Sequence, residues 1–168
     1  MDALEAIYTR KSVRKFEDKE VPEELVRKIL KAGMSAPSAG NAQPWQFIII
    51  SERNALAEIP GVSPYAECVA KAPLAILVCG DKKLEKHKDY WVQDCSAASQ
   101  NMLLAAHALG LGAVWTGAYP METTMEGFRV LLKIPEHIVP FSLIVIGYPA
   151  EGMHKEKYIG ERIHYDKW

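Results

Sequence analysis

Apolar and polar residues alternate along the chain in two distinct patterns, one helical and one extended. Apolar positions at helical spacing predict six helices, over residues 3–9, 22–33, 52–59, 65–72, 90–109 and 121–134. Short, nearly continuous apolar runs predict four strands, over residues 45–51, 74–81, 113–119 and 141–149, and the first is typical of a strand covered on both faces. The order of elements never forms βαβ repeats, so we expect an α+β layered domain with a central mixed or antiparallel sheet flanked by helices.

Two segments stand out from this pattern. The predicted helix over residues 90–109 is apolar nearly all round its second half, which indicates burial on several sides. Residues 150–168 are polar with isolated aromatic residues and show no periodicity. Such a tail is either frayed or ordered by packing against something else.

Composition narrows the classes of function. The chain has 168 residues, of which 49% are hydrophobic, and a formal net charge of -1. This length predicts a single domain over residues 1–168, and near-neutrality argues against a nucleic-acid-binding protein. No run approaches the ~20 apolar residues that span a membrane, and the amino-terminal residues lack the pattern of a signal peptide. We therefore expect a cytoplasmic protein with no membrane association.

Cysteine and histidine spacing gives no sign of a metal centre. Cys68, Cys79 and Cys95 are odd in number and far apart, which predicts buried thiols in a reducing compartment. The five histidines share no short spacing, so we expect no metal. No nucleophile lies in a recognisable hydrolase motif, and the glycines of residues 110–117 join a helix to a strand, the reverse of a dinucleotide-binding motif.

The most unusual local feature is a run of cations near the amino end. Arg10, Lys11, Arg14 and Lys15 surround Ser12 with no acid among them. In an extended chain Arg10, Ser12 and Arg14 would share one side, and two guanidinium groups beside a hydroxyl suit a phosphate or a carbonyl-rich heterocycle. The alternative is a solvated helix end, where cations favour the carboxyl-terminal dipole.

A second polar segment precedes the first predicted strand. Ser38, Asn41 and Gln43 offer hydrogen-bonding groups on a backbone rich in small residues, between Pro37 and Pro44. An ordinary turn explains this composition equally well. A compact polar loop at the edge of a strand is also a frequent ligand site.

Four motifs together resemble one known family. They are RKSVRKF at residues 10–16, APSAGNAQPWQF at 36–47, AASQNMLLAAHALGLGAVWTG at 97–117 and SLIVIGYPAE at 142–151. In this order the motifs resemble the FMN-dependent nitroreductase family, in its compact branch. The resemblance spans nearly the whole chain.

The resemblance implies a homodimer with two FMN sites at the interface, and an arm of about residues 150–168 exchanged between subunits. It implies that one subunit contributes Arg10, Lys11, Ser12 and Arg14, while the other contributes Pro37, Ser38, Asn41 and Gln43. Trp115, Thr116 and Gly117 would line the flavin ring, and Lys155 and Lys157 would contact the phosphate.

The implied activity is that of an FMN-dependent NAD(P)H oxidoreductase. NAD(P)H would be the co-substrate, and a small acceptor such as a nitroaromatic or a quinone would follow it in ping-pong order. The cofactor would carry the chemistry, so no catalytic side chain is expected. Two alternatives stay open: a specialised flavin enzyme of the same fold, such as a dehalogenase or a flavin-fragmenting enzyme, and a non-catalytic flavin-binding module.

Overall fold

A computed structural model describes residues 1–151 and 158–168 of the chain. In this part of the chain, four strands form one antiparallel sheet in the order β1–β2–β4–β3. They are β1 (Trp45–Ile50), β2 (Leu74–Asp81), β3 (Gly112–Gly117) and β4 (Ile138–Gly147). The predicted α+β fold with an antiparallel sheet is confirmed.

Five α-helices flank the sheet in the same described residues. They are α1 (Ala3–Thr9), α2 (Glu23–Met34), α3 (Arg53–Val62), α4 (Trp91–Ala108) and α5 (Glu122–Leu132). Residues Glu67–Lys71 form a 3-10 helix, where the sequence predicted an α-helix over 65–72. The residue before a proline is disfavoured in helical conformation, so Pro73 ends the segment at Ala72, which is in an extended conformation.

The two faces of the sheet support separate apolar cores. Helices α2 and α4 cover one face, where Ile29 and Met102 pack with Ile76. Helices α3 and α5 cover the other, where Leu56 and Phe128 pack with Leu77. Successive residues of a strand point to opposite faces, so the central strands β2 and β4 are buried along their length except for the partly exposed Asp81 and Val139.

The prediction that residues 45–51 are covered on both faces is wrong. Strand β1 lies at one edge of the sheet, with Gln46 exposed and Ile49 49% exposed. An apolar run marks a strand but does not give its position in the sheet, because that position depends on pairing with distant residues. The exposed edge leaves apolar surface available to a partner.

No helix in the described part of the chain is both long enough and apolar enough to cross a membrane.

Candidate functional site

The basic run is an extended segment attached to the ends of β3 and β4. Helix α1 ends at Thr9. The Val13 N–H then donates to the Ala113 carbonyl at 3.0 Å, and the Ala150 N–H donates to the Lys15 carbonyl at 2.9 Å. The extended conformation on which the sequence interpretation depended is therefore present. These bonds fix the backbone beside the sheet and leave Ser12, Arg14 and Lys15 exposed, with Arg10 and Lys11 half-buried.

Gly112 allows this segment to approach β3. A Cβ atom on Gly112 would lie 2.7 Å from Val13 Cγ1, closer than side-chain carbons pack. A larger residue would displace the segment from the sheet. The position of the cations thus depends on a glycine about 100 residues further along the chain.

Glu151 supplies a fixed negative charge to the basic segment. Its Oε1 accepts from the Arg14 N–H at 2.8 Å, and its carbonyl accepts from Lys11 Nζ at 3.4 Å. The Arg14 N–H bond, helped by the charges of Lys15 and Lys11, holds the pKa of Glu151 below its ordinary value.

The two arginines of the segment line separate cavities. Arg14 and Lys15 line one of about 480 Å³ together with Tyr65, Cys68 and Lys71. A second cavity, of about 340 Å³, is bordered by Arg10 and Lys11, with His107 and Gly112 among its other walls. Sequence reasoning missed Tyr65, Cys68 and Lys71, because nothing in the pattern of residues 63–72 distinguishes them from an ordinary connecting segment.

The polar loop before β1 is a tight turn in left-handed backbone conformation. Gly40, Asn41 and Gln43 have φ angles of 57°, 52° and 49°. The Ser38 hydroxyl accepts from the Gln43 N–H at 3.0 Å, and the Ser38 carbonyl accepts from the Asn41 N–H at 3.0 Å. Ser38 therefore closes the turn, while the side chains of Asn41 and Gln43 are exposed.

Two distant side chains hold this turn, and sequence reasoning missed both. Asp94 Oδ1 accepts from the Ala39 N–H at 2.9 Å. Lys86 Nζ donates to the Gly40 carbonyl at 2.8 Å. Pro37 also contributes to this region, because it lines a cavity of about 380 Å³ with Tyr90 and Asp94.

The three residues on β3 that were predicted to line the flavin differ in burial and in contacts. The Trp115 ring is partly buried, with its centroid 5.6 Å from that of Phe141. Thr116 is buried and its hydroxyl donates to the Leu143 carbonyl at 3.4 Å. Gly117 is half-buried, at the end of the strand. Lys155 and Lys157 lie outside the described residues.

Within one subunit, the turn and the basic segment lie at opposite ends of α4. Asp94 is in the first turn of α4 and contacts the turn. His107, in its last turn, lies 2.8 Å from the Thr9 hydroxyl and borders the cavity that Arg10 lines. Asp94 and His107 are thirteen positions apart along the helix, about 20 Å at 1.5 Å per residue. The structure does not bring the two predicted halves of the site together in a single chain.

Cys79 and Cys95 are buried as the sequence predicted, whereas Cys68 is half-buried, because it borders the cavity that Arg14 lines. Burial raises the pKa of Cys79 to about 12 and raises that of Cys95 as well. Burial also raises the pKa of the half-buried Cys68, while the charge of Arg14 opposes that shift. Among the described residues, no cluster of His, Cys, Asp and Glu is arranged to hold a metal ion.

The chain is thus an α+β protein in which a four-stranded antiparallel sheet lies between two helical layers and a cationic segment is bonded to β3. The profile described as "Nitroreductase family" matches residues 7–63 and 62–148, so the chain belongs to the nitroreductase family.

Relatives and solved structures agree with this assignment. A protein of Methanothermobacter thermautotrophicus named "Putative NADH dehydrogenase/NAD(P)H nitroreductase" is 57% identical, covering 100% of this chain and 88% of its own. A crystal structure of the same name from Bacteroides thetaiotaomicron has a TM-score of 0.95 and 46% identity, covering 99% of this chain and 98% of its own. A "putative nitroreductase in complex with fmn" from Desulfovibrio desulfuricans has a TM-score of 0.85 and 33% identity, covering 100% of this chain and 99% of its own.

Proposed function

We propose that the chain is an FMN-dependent NAD(P)H oxidoreductase, active as a homodimer, which reduces small acceptors such as nitroaromatics and quinones. The name of the Methanothermobacter relative supports the co-substrate, and the FMN complex of the Desulfovibrio protein supports the cofactor. The observation that carries the proposal is the cationic segment fixed against β3 by backbone hydrogen bonds.

The donors of this segment fit FMN. A phosphate monoester carries nearly two negative charges at neutral pH, and Arg10 and Lys11 border a cavity large enough to receive it. The planar donors of Arg14 suit the carbonyl groups of a pyrimidine ring. The exposed Ser12 hydroxyl lies between them and can donate to the polar chain that links ring and phosphate.

The residues of the chain bind and orient, and none needs a catalytic role. Bound FMN would supply the redox chemistry, taking electrons from NAD(P)H and passing them to the acceptor. The backbone of the cationic segment is already bonded to the sheet, so FMN binding need not bear the cost of ordering that backbone. We propose that Trp115, Thr116 and Gly117 form the wall behind the ring.

The separation of the two half-sites supports the homodimer. The turn and the Arg10 cavity lie about 20 Å apart along α4, so one FMN contacts both only if they come from different subunits. Two antiparallel copies of α4 would place the turn of one subunit beside the basic segment of the other. We propose that Pro37, Ser38, Asn41 and Gln43 reach the cofactor in this way.

Exposed apolar surface favours the same assembly. On α1, Leu4, Ile7 and Tyr8 are 59%, 49% and 64% exposed, and on α2 Met34 is 52% exposed. Large exposed apolar side chains grouped on one surface are typical of an interface.

The carboxyl-terminal residues complete the proposal. Among residues 158–168 the large side chains are solvent-exposed, including Tyr165 at 84% and Trp168 at 101%. We propose that residues 150–168 form an arm that lies across the partner, with Lys155 and Lys157 at the phosphate. On this proposal, residues 1–168 are one FMN-binding domain. Its free thiols suit a cytoplasmic protein.

The test is an absorbance spectrum of purified protein, followed by anaerobic addition of NADH or NADPH. We expect bound flavin, bleaching by the nicotinamide and recovery of the flavin spectrum with a nitroaromatic or quinone. Replacing Arg10 and Arg14 together by Ala should remove most of the flavin. The exposed Arg27, paired with Glu23 on α2, provides the control variant Arg27→Ala, which should keep it.

Three outcomes contradict the proposal in different ways. Protein that stays colourless after incubation with FMN excludes a flavoprotein. Flavin that binds but is not bleached by either nicotinamide indicates a binding module. Consumption of FMN itself, or release of halide from a halogenated substrate without nitroaromatic turnover, indicates one of the specialised enzymes.

A further inference from the structure

The turn before β1 adopts a conformation that its own sequence does not enforce. Gly40 tolerates a left-handed backbone and Asn41 visits it, but Gln43 has no such preference. Inside the turn, Ser38 accepts from the Asn41 and Gln43 N–H groups, and the Ala42 N–H donates to the Ala39 carbonyl at 3.1 Å, but none of these bonds fixes the side of the turn that Gln43 presents. Such strained residues persist when the surrounding structure holds them, and they cluster at ligand sites.

Asp94 holds the beginning of the turn from within the protein. Its side chain is in the first turn of α4, the residue is 5% exposed, and Oδ1 accepts from the Ala39 N–H at 2.9 Å. A buried carboxylate is costly without partners, and the amino-terminal end of a helix stabilises a negative charge. Asp94 is thus a fixed acceptor on a rigid element.

Lys86 holds the middle of the turn from the loop after β2. Its Nζ donates to the Gly40 carbonyl at 2.8 Å and lies 3.5 Å from the Asn41 carbonyl. A Cβ atom at Gly40 would lie 3.0 Å from His87 Nε2, so the loop packs closely on the turn. The Ser38–Ala39 peptide group, through its N–H, and the Gly40–Asn41 peptide group, through its carbonyl, are thereby bonded to side chains from other elements.

We propose that Asp94 and Lys86 are positioning residues that lock the turn in the left-handed conformation from which Asn41 and Gln43 meet FMN. The inference rests on the proposed function and deepens it, because it assigns residues that need not touch the cofactor. Without either anchor the turn would sample other conformations, and FMN binding would bear the cost of ordering it.

The experiment titrates apo-protein with FMN and follows quenching of FMN fluorescence. Asp94→Ala and Lys86→Met should each raise the dissociation constant about tenfold or more. Asp94→Asn keeps an oxygen that accepts from the Ala39 N–H, and Lys86→Arg keeps a donor, so each should restore most of the affinity. Lys88→Met is the matched control, because the exposed Lys88 side chain makes no hydrogen bond or ion pair within residues 1–151 and 158–168.

Hydrogen exchange supplies a readout that does not depend on FMN. In Asp94→Ala the Ala39 amide should lose protection, while amides of β2 keep theirs. Should Asp94→Ala fail to fold, Lys86→Met, at an exposed position, decides the outcome. Wild-type affinity in Lys86→Met, or unchanged Ala39 protection in Asp94→Ala, overturns the inference. Wild-type protein that binds no FMN overturns the proposed function instead.

Discussion

At the scale of single residues, the reactivity of Cys68 can probe the cavity that Arg14 lines. The thiolate is the reactive form of cysteine, so a raised pKa slows alkylation. Cys79 and Cys95 are buried, with pKa values raised by that burial, whereas Cys68 is half-buried and shares its cavity with Arg14. Cys68 is therefore the thiol that reagents can reach, although its raised pKa makes it slower than a free cysteine.

We predict that iodoacetamide labels native protein at Cys68 alone and that saturating FMN slows this labelling about tenfold or more. Mass spectrometry of the modified peptides measures both effects. Cys68→Ser should take up no label until the protein is unfolded. Labelling of flavin-loaded protein at the rate of the apo-protein would show that the Arg14 cavity lies outside the cofactor site.

At the scale of elements, the basic segment depends on an acid that follows β4. Glu151 accepts from the Arg14 N–H, and that bond together with the nearby cations lowers the pKa of its carboxyl. A carboxyl whose folded pKa is below its unfolded value stabilises the fold above the unfolded pKa, about 4.3 for Glu. The contribution is lost as the pH falls through the folded pKa.

We predict that the Arg14 amide resonance is constant at neutral pH and shifts below about pH 4.3 as Glu151 is protonated. A pH titration followed by NMR of the amide measures this directly. In Glu151→Gln the side-chain oxygen still accepts but no longer titrates, so the shift should disappear. A midpoint above the ordinary value for Glu would contradict the lowered pKa.

The helices and strands were largely predictable from the sequence, whereas the contacts between distant elements were not. Apart from residues 65–72, every α-helix and strand lies within about three residues of its predicted bounds, because apolar periodicity and capping are local properties. The edge position of β1 depends on its pairing with β2 and was not predicted. Lys86 contacts Gly40 over 46 positions of sequence, and Asp94 contacts Ala39 over 55. From the sequence alone, Asp94 is an ordinary acidic residue that stabilises the amino-terminal end of α4. Its contact with the Ala39 N–H becomes evident only in the structure.

At the scale of the whole molecule, one subunit has an uncovered apolar surface on α1. Although Leu4, Ile7 and Tyr8 have the helical spacing of a core-facing stripe, they are exposed, and Ala6 is the buried residue of α1. Periodicity identifies an apolar face but does not say whether that face packs on its own subunit or on a second one. In the proposed homodimer this face would pack against the second subunit, and the turn of one subunit would lie beside the basic segment of the other.

We therefore predict that Ile7→Glu disrupts the dimer and the cofactor site together. Burying a glutamate where an isoleucine side chain packs should cost about 2 kcal/mol or more per site, and the two sites of a homodimer together should raise the dimer dissociation constant roughly a thousand-fold. Light scattering coupled to gel filtration measures the mass, and flavin absorbance of the same peak measures FMN content. Val130→Glu is the matched control, because Val130 is 71% exposed on α5, on the opposite face of the sheet, and should remain dimeric and yellow. A monomeric Ile7→Glu variant that retains a full complement of FMN would contradict a site shared between subunits.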